Sequence, residues 1–282
     1  MRTLTGNLHQ CAINTATLGH REPLDRTLER IAAAGFGGVA PWRDELETIG
    51  AAKISRQLRA LQLDVSGYCR SSYLTGSKSE RRESMESNVR ALHDAAEIGA
   101  RCFVLVTGGA HAASNDISNA RGQVTEGIAE LFETARNIGV PLAIEPLHPM
   151  YAADRSVVNT IEQALDVCRQ VAPDNPRELG IAIDIYHCWW DPLLQRSISA
   201  AGAAGRILAY HVSDWLPDTK HMLMDRGMMG DGVVDLAGFR RQIEQAGFDG
   251  MVEVEIFSRD HWWKMPPDDV LSICAQRLQS VC

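Results

Sequence analysis

Short apolar runs alternate with longer amphipathic stretches along nearly the whole chain, and this alternation is the signature of repeated βα units. The runs that read as strands are Leu8–Ile13, Gly37–Pro41, Leu63–Tyr68, Arg101–Thr107, Val140–Pro146, Leu179–Ile185, Arg206–Val212 and Gly250–Phe257. Between and after them lie predicted helices over Pro23–Ala34, Glu45–Leu61, Glu80–Ile98, Ile117–Ile138, Ser156–Val171, Pro192–Ala203, Leu236–Ala246 and Pro267–Val281. Glycines 35, 99, 139, 205 and 247 follow several of these helices, where a left-handed cap releases the chain toward the next strand. CFVLV, PLAI, LGIAI and ILAY are continuous rather than alternating apolar runs, as parallel strands buried on both faces require.

Eight βα units averaging about 35 residues predict an α/β fold, a single (β/α)8 TIM barrel spanning residues 1–282 as one domain. A doubly wound open sheet would carry a glycine-rich phosphate fingerprint after its first strand, and CAINTATLGHRE has none. The longest irregular segment, Ser213–Asp235, lies between strand seven and its helix and reads as a functional loop.

Composition narrows the function classes. With 45% hydrophobic and 23% charged residues the chain has material for a large core and no sign of disorder. A net charge of −8 argues against nucleic-acid or anionic-membrane partners and favours a small substrate. The seven cysteines are odd in number, scattered and free of CxxC spacing, so neither a disulfide framework nor a zinc-thiolate site is expected. With no signal-peptide core at the N-terminus, the expected location is a reducing cytoplasm.

The reactive face of such a barrel is built at the C-terminal ends of its strands. Four adjacent strands close on an ionisable residue there: Glu145 in AIEP, Asp184 in AIDIYH, His211 in AYHVSD and Glu255 in VEVEIF. Singly, each is commonly a helix cap or a salt-bridge partner. Together they predict convergence on a cation, because three neighbouring carboxylates cannot all stay ionised without one. Three oxygen donors and one nitrogen form a hard set, favouring one Mn²⁺ ion, with Mg²⁺ or Co²⁺ as alternatives.

In these contexts, IEP, DxYH, HVSD and ExF, the chain resembles the xylose isomerase-like barrel superfamily over nearly its whole length. That superfamily includes ketose 3-epimerases, inosose dehydratases and isomerases, and endonuclease IV. The resemblance implies that Glu145 and Glu255 act as acid and base on opposite faces of a substrate carbon, and that His187 holds a substrate oxygen. The chemistry is coherent on its own terms: a metal chelated by a carbonyl and a neighbouring hydroxyl stabilises an enediolate, so a flanking carboxylate can remove the adjacent proton. The expected function is therefore a metal-dependent isomerase or epimerase of a sugar, keto-sugar or cyclitol. A dehydratase or other lyase shares the same first step.

Further residues fill out the pocket. His148 follows Glu145 by three positions as His187 follows Asp184, so both imidazoles are candidates for catalysis and substrate binding, with loop capping as the alternative for each. The ketose epimerases tend to read asparagine-arginine where this chain reads PLHPMYAAD, a departure from the fructose-type enzymes that keeps the lyase reading open. Trp189 and Trp190, with Trp42, Trp215, Trp262 and Trp263, lie beyond strand ends and can wall a sugar pocket or pack in a core or dimer contact. Arg226, in the loop HMLMDRGMMGDG with Lys220, His221 and Asp225, can hold an anionic or hydroxyl group if that loop closes over substrate and is not simply solvated. Glu253 shares a face with Glu255 and is expected to point inward as a supporting group rather than a ligand.

Two other classes compete. An endonuclease IV-like nuclease would need a multi-zinc cluster and a basic surface, and only His111, otherwise a substrate-binding candidate, is well placed to extend the ligand set. A non-catalytic sugar-binding barrel would not require the four-ligand set. A dimer or tetramer is expected from the tryptophans at the barrel mouth.

Overall fold

The structure, a computed structural model, describes residues 2–110 and 116–282, so His111 lies outside the described residues. The strands are β1 (Cys11–Asn14), β2 (Gly38–Ala40), β3 (Asp64–Val65), β4 (Phe103–Leu105), β5 (Leu142–Ile144), β6 (Leu179–Asp184), β7 (Ile207–Val212) and β8 (Val252–Val254). All pair in parallel, in the order β3-β2-β1-β8-β7-β6-β5-β4. The sheet curls shut where the chain beyond β3 meets β4: the Tyr68 amide donates to the Cys102 carbonyl at 2.9 Å, and the Val104 amide donates to the Tyr68 carbonyl at 3.0 Å. A closed parallel barrel follows, as the βα alternation predicts.

Helices α1 (Leu24–Ala33), α2 (Arg43–Ile49), α3 (Ala51–Leu61), α4 (Lys78–Glu97), α5 (Ile117–Ile138), α6 (Ile161–Val171), α7 (Ile185–Cys188), α8 (Leu194–Ala203), α9 (Leu236–Gln245) and α10 (Pro267–Ser280) lie between or after the strands. Three boundaries differ from the sequence expectation for local reasons. Strand one starts three residues late because Leu8–Gln10 winds into a 3-10 turn. Gly50, at φ 95°, splits the long second helix into α2 and α3, a backbone conformation that side-chain-bearing residues avoid. The sixth helix starts at Ile161, where the Thr160 hydroxyl accepts from the Gln163 amide at 3.2 Å, so Ser156–Asn159 stays irregular and supports neighbouring loops. No helix of the described residues is long and apolar enough to cross a membrane.

Side-chain parity along the strands decides what faces the barrel interior. Leu142 and Ile144 face the helices in the main core, whereas Ala143 packs inside with Cys69, Cys102, Val104, Ala182 and Ala209. Two residues beyond Ala143, Ala182 and Ala209 stand Glu145, Asp184 and His211. The small interior side chains leave room for the larger polar ones at the strand ends.

Candidate metal centre

Glu145, Asp184, His211 and Glu255 each present a ligand atom, and these atoms all lie within 4.8 Å of one another. All four residues are buried. The β6–β7 register sets Asp184 directly beside His211, and β7–β8 sets His211 beside Glu253, two residues before Glu255. The His211 Nδ1 atom lies 3.2 Å from Glu145 Oε1 and 3.7 Å from Glu255 Oε2. Glu145 Oε1 and both His211 ring nitrogens are nevertheless buried without a hydrogen-bond partner.

Such buried orphans are costly unless something satisfies them. Donor atoms on an octahedral cation with bonds of about 2.1 Å stand about 3 Å apart when adjacent and about 4 Å apart when opposite. The 3.2 and 3.7 Å separations of His211 from Glu145 and Glu255 fall in this range, the outer bound of 4.8 Å is somewhat wider and would contract on a bound ion, and the three-oxygen, one-nitrogen chemistry suits a divalent cation.

Electrostatics without a cation shows the strain of assembling these groups. Burial pushes the Glu145 carboxyl up to about 7, with His211 opposing the rise and Glu255 adding to it. Burial acts upward on Glu255 as well, but Arg226 and His211 outweigh it and hold that carboxyl at about 2. Burial disfavours a charged His211, yet Glu253, Glu145 and Glu255 raise it well above the ordinary histidine range.

Arg226 is the feature that the sequence left open between a substrate contact and a solvated loop. It is 2% exposed, and its NH1 donates to Asp184 Oδ2 at 2.8 Å and to Glu255 Oε2 at 3.3 Å. The guanidinium stacks on Tyr186 and Phe257, with centroid distances of 4.4 and 5.0 Å. Its loop is tied down by Asp214, whose carboxylate accepts from the amides of Trp215, Gly230 and Val234 at 2.9, 2.9 and 3.0 Å. Lys220 and His221 of the same loop are exposed, whereas the four ligand candidates are buried. The Asp225 carboxylate is spent on the Lys220 amide.

His187 sits on α7, the single turn that continues β6, with the Asp184 side chain accepting from the Tyr186 amide at its start. Arg226 NH2 lies 3.1 Å from His187 Nε2 and can only donate, so the imidazole accepts there and carries its proton on Nδ1. Burial holds its pKa down to about 3, so the ring is neutral. The Nδ1 atom is buried with no partner.

His148 is not brought to the ligand cluster. Its Nδ1 accepts from the Met150 amide at 3.3 Å, and its ring stacks on Trp215 at 5.1 Å and meets Trp190 edge-on at 5.7 Å. Trp189 joins this aromatic wall, 5.8 Å from Trp215, with its indole nitrogen buried and unpaired. Trp42 instead lines the cleft over the ligands, while Trp262 is core and Trp263 donates to the Ala16 carbonyl.

Below the ligands, the Glu253 carboxylate accepts from Asn14 Nδ2 at 2.9 Å and from Ser66 Oγ at 2.7 Å, and lies 3.6 Å from His211 Nε2. The same Asn14 amide reaches Glu255 Oε1 at 3.1 Å, and its carbonyl accepts from the Trp42 indole at 2.7 Å. Asn14 was missed in the sequence, although it too ends a strand.

Residues 28–277 match the family model described as xylose isomerase-like TIM barrel, and the chain belongs to that family. An inosose isomerase of Bacillus velezensis is 28% identical over 160 residues, which cover 55% of this chain and 53% of that protein. The match thus spans about half the length of that relative. Fructoselysine 3-epimerase of Escherichia coli O157:H7 is 26% identical over 257 residues, covering 85% of this chain and 88% of the relative. A 3-dehydroshikimate dehydratase of Pseudomonas putida is 30% identical over 261 residues, covering 86% of this chain and 37% of the dehydratase.

Among solved structures, a protein of Sinorhizobium meliloti 1021 is 48% identical with a TM-score of 0.94, covering 98% of this chain and 99% of that one. The IOLI protein, solved with a bound zinc atom, has a TM-score of 0.81 at 18% identity, covering 96% of this chain and 97% of that one, and so shares the fold.

Proposed function

We propose that the protein is a divalent-metal-dependent isomerase or epimerase of a keto-sugar, sugar or cyclitol, acting by proton transfer beside a carbonyl. The observation that carries this reading is the convergence of Glu145, Asp184, His211 and Glu255 on one buried point at the ends of four adjacent strands. In this reading the four hold one ion, Mn²⁺ by preference because the donors are mostly carboxylate oxygens. Such an ion supplies Lewis-acid polarisation of a carbonyl and its neighbouring hydroxyl.

The chain's own residues do the rest. Glu145 and Glu255 flank the carbon that exchanges its proton, one removing it and the other returning it. A neutral His187 offers its Nδ1 proton to a substrate oxygen, and Arg226 keeps that tautomer by donating to Nε2. Arg226 also fixes Asp184 and Glu255 in orientation. His148 and Trp189 line the outer aromatic wall and take no part in the proton transfer. We assign the chain to a reducing cytosol as one barrel domain and expect a homo-oligomer.

A lyase is the second reading, favoured by the match to the dehydratase over most of this chain. Solvent-deuterium incorporation into ketoses, inososes and 3-dehydroshikimate with Mn²⁺ present tests both. The proposal expects exchange at one substrate C–H that is lost in Glu145→Gln and in Glu255→Gln. Absence of exchange in every candidate, with Mn²⁺ bound, sinks the proton-transfer mechanism. Elimination without retained exchange product selects the lyase.

A further inference from the structure

The cleft over the candidate ligands is lined by Arg70, Arg155 and Arg226 together with His187, Leu223 and Phe257. Arg226 spends its charge on Asp184 and Glu255. Arg70 and Arg155 do not: among the described residues neither guanidinium forms an ion pair. Each lies instead on a tyrosine, Arg70 at 5.1 Å from the Tyr73 ring centre and Arg155 at 5.6 Å from that of Tyr151. Tyr151 packs with Val106 and Leu147, and Tyr73 packs against the same apolar cluster. A guanidinium held over an aromatic ring is positioned without using up its in-plane N–H donors.

Unused donors gather on this side of the cleft. Among the described residues Arg70 makes one side-chain hydrogen bond, to the Ser71 carbonyl at 3.5 Å. Arg155 Nε, the Tyr151 hydroxyl and His187 Nδ1 are all buried without a partner among the described residues. The Tyr151 ring meets His187 edge-on at 5.7 Å, so these groups adjoin one another. Buried donors with no acceptor are rare unless a ligand supplies one.

The backbone under Arg155 is also built to hold it. The Gly108 amide donates to the Arg155 carbonyl at 2.9 Å, and the Val157 amide returns to the Gly108 carbonyl at 2.9 Å. Gly109 is pressed so closely on Ala153 and Asp154 that a Cβ there would stand 2.4 Å from the Asp154 nitrogen.

Charge completes the case. A divalent ion and Arg226 together offset Glu145, Asp184 and Glu255. Even with Glu253 ionised beneath them, Arg70 and Arg155 leave the cleft positive, in a chain whose net charge is −8. We infer that Arg70 and Arg155 hold an anionic substituent, a carboxylate or a phosphate, so that the substrate is a sugar acid, cyclitol acid or sugar phosphate and not a neutral polyol. This inference rests on the cleft being the active site proposed above.

The test compares binding of D-fructose, D-fructose 6-phosphate and 5-keto-D-gluconate to the full Mn²⁺-loaded chain by titration calorimetry. At least one anionic compound is expected to bind about tenfold or more tightly than fructose, as charge-assisted hydrogen bonds would require. Which of the two does so separates phosphate from carboxylate. The preference should collapse in Arg70→Met and Arg155→Met while Mn²⁺ affinity is retained. Arg155→Lys should keep part of it. Equal binding of fructose and both anions overturns the inference, as does a preference that survives both methionine variants. If those variants lose Mn²⁺ affinity, a salt titration of the unmodified protein decides: a preference unchanged at about 0.5 M salt overturns it. Failure of the unmodified chain to bind Mn²⁺ strikes the proposed function instead, and the same three-ligand comparison on the metal-free chain still judges the arginines.

Discussion

Replacing Glu253 by glutamine should weaken divalent-metal binding although Glu253 offers no ligand atom. Its carboxylate accepts from Asn14 and Ser66 and lies 3.6 Å from His211 Nε2. If a metal takes His211 at Nδ1, the imidazole proton has to reside on Nε2, facing Glu253. In the glutamine variant the oxygen should stay toward Asn14 and His211, both donors, and the new NH2 should turn to Ser66, whose hydroxyl can reverse and accept. The shape is kept and the charge is lost. Since a charge-assisted hydrogen bond is roughly twice as strong as a neutral one, the loss should fall at the low end of the range for such supporting partners, about tenfold in affinity or about 1.4 kcal/mol. Glu253→Ala also frees Asn14 from one of its two carboxylates and should lie near the upper end, about 100-fold. Calorimetric titration with Mn²⁺ measures both, with Glu145→Gln as the variant that deletes a ligand outright. Affinities within twofold of the unmodified protein for both Glu253 variants, alongside a large loss in Glu145→Gln, would refute the argument that Glu253 orients His211.

Three further outcomes follow from the same geometry. Arg226→Met leaves Asp184 and Glu255 buried without their cation, so the metal-free protein should lose about 3–5 kcal/mol, with saturating Mn²⁺ restoring much of it; calorimetric melting with and without Mn²⁺ checks this, and a metal-free variant that melts with the unmodified protein contradicts it. Burial raises Glu145 to about 7, and three carboxylates raise His211 well above the ordinary histidine range against the opposing effect of burial. Both must deprotonate to bind a cation, so loading at pH 7 should release protons and affinity should fall as pH drops below about 7; titrations in buffers of different protonation enthalpy read the release, and a net release of zero counts against it. Asp214→Ala removes the acceptor of three loop amides and should cost about 3 kcal/mol, with faster hydrogen exchange at Gly230 and Val234; unchanged protection there means Asp214 does not hold the Arg226 loop.

The barrel and its four candidate ligands were legible because both depend on periodicity. Continuous apolar runs marked the strands, and an ionisable residue ending such a run had to lie at the reactive face. Period two then carried the reading from Glu255 back to Glu253, which is buried below His211. Asn14 obeys the same rule at the end of β1 and escaped because it is uncharged, although an amide is well suited to bridge two carboxylates. Arg226, Arg70 and Arg155 escaped, wholly or in part, for a different reason: they lie in loops, where no period links sequence position to direction. The course of the Arg226 loop is set by Asp214 contacts spread over twenty residues of chain.

The paired histidines show most plainly where spacing alone leaves direction open. His148 and His187 each follow a candidate ligand by three residues, yet three residues mean different directions in different backbones. After Asp184 the chain enters α7, and in a helix position i+3 returns to the same face, which brings His187 back over Asp184, 3.6 Å away. After Glu145 the chain runs irregularly through Pro146 and Leu147, with no helical turn to bring position i+3 back. His148 therefore stacks on Trp215 and caps the turn at Pro149–Tyr151. That turn supports Tyr151, on whose ring Arg155 lies. The departure of this loop from the asparagine-arginine pattern of the ketose epimerases thus reaches the cleft through Tyr151 and Arg155.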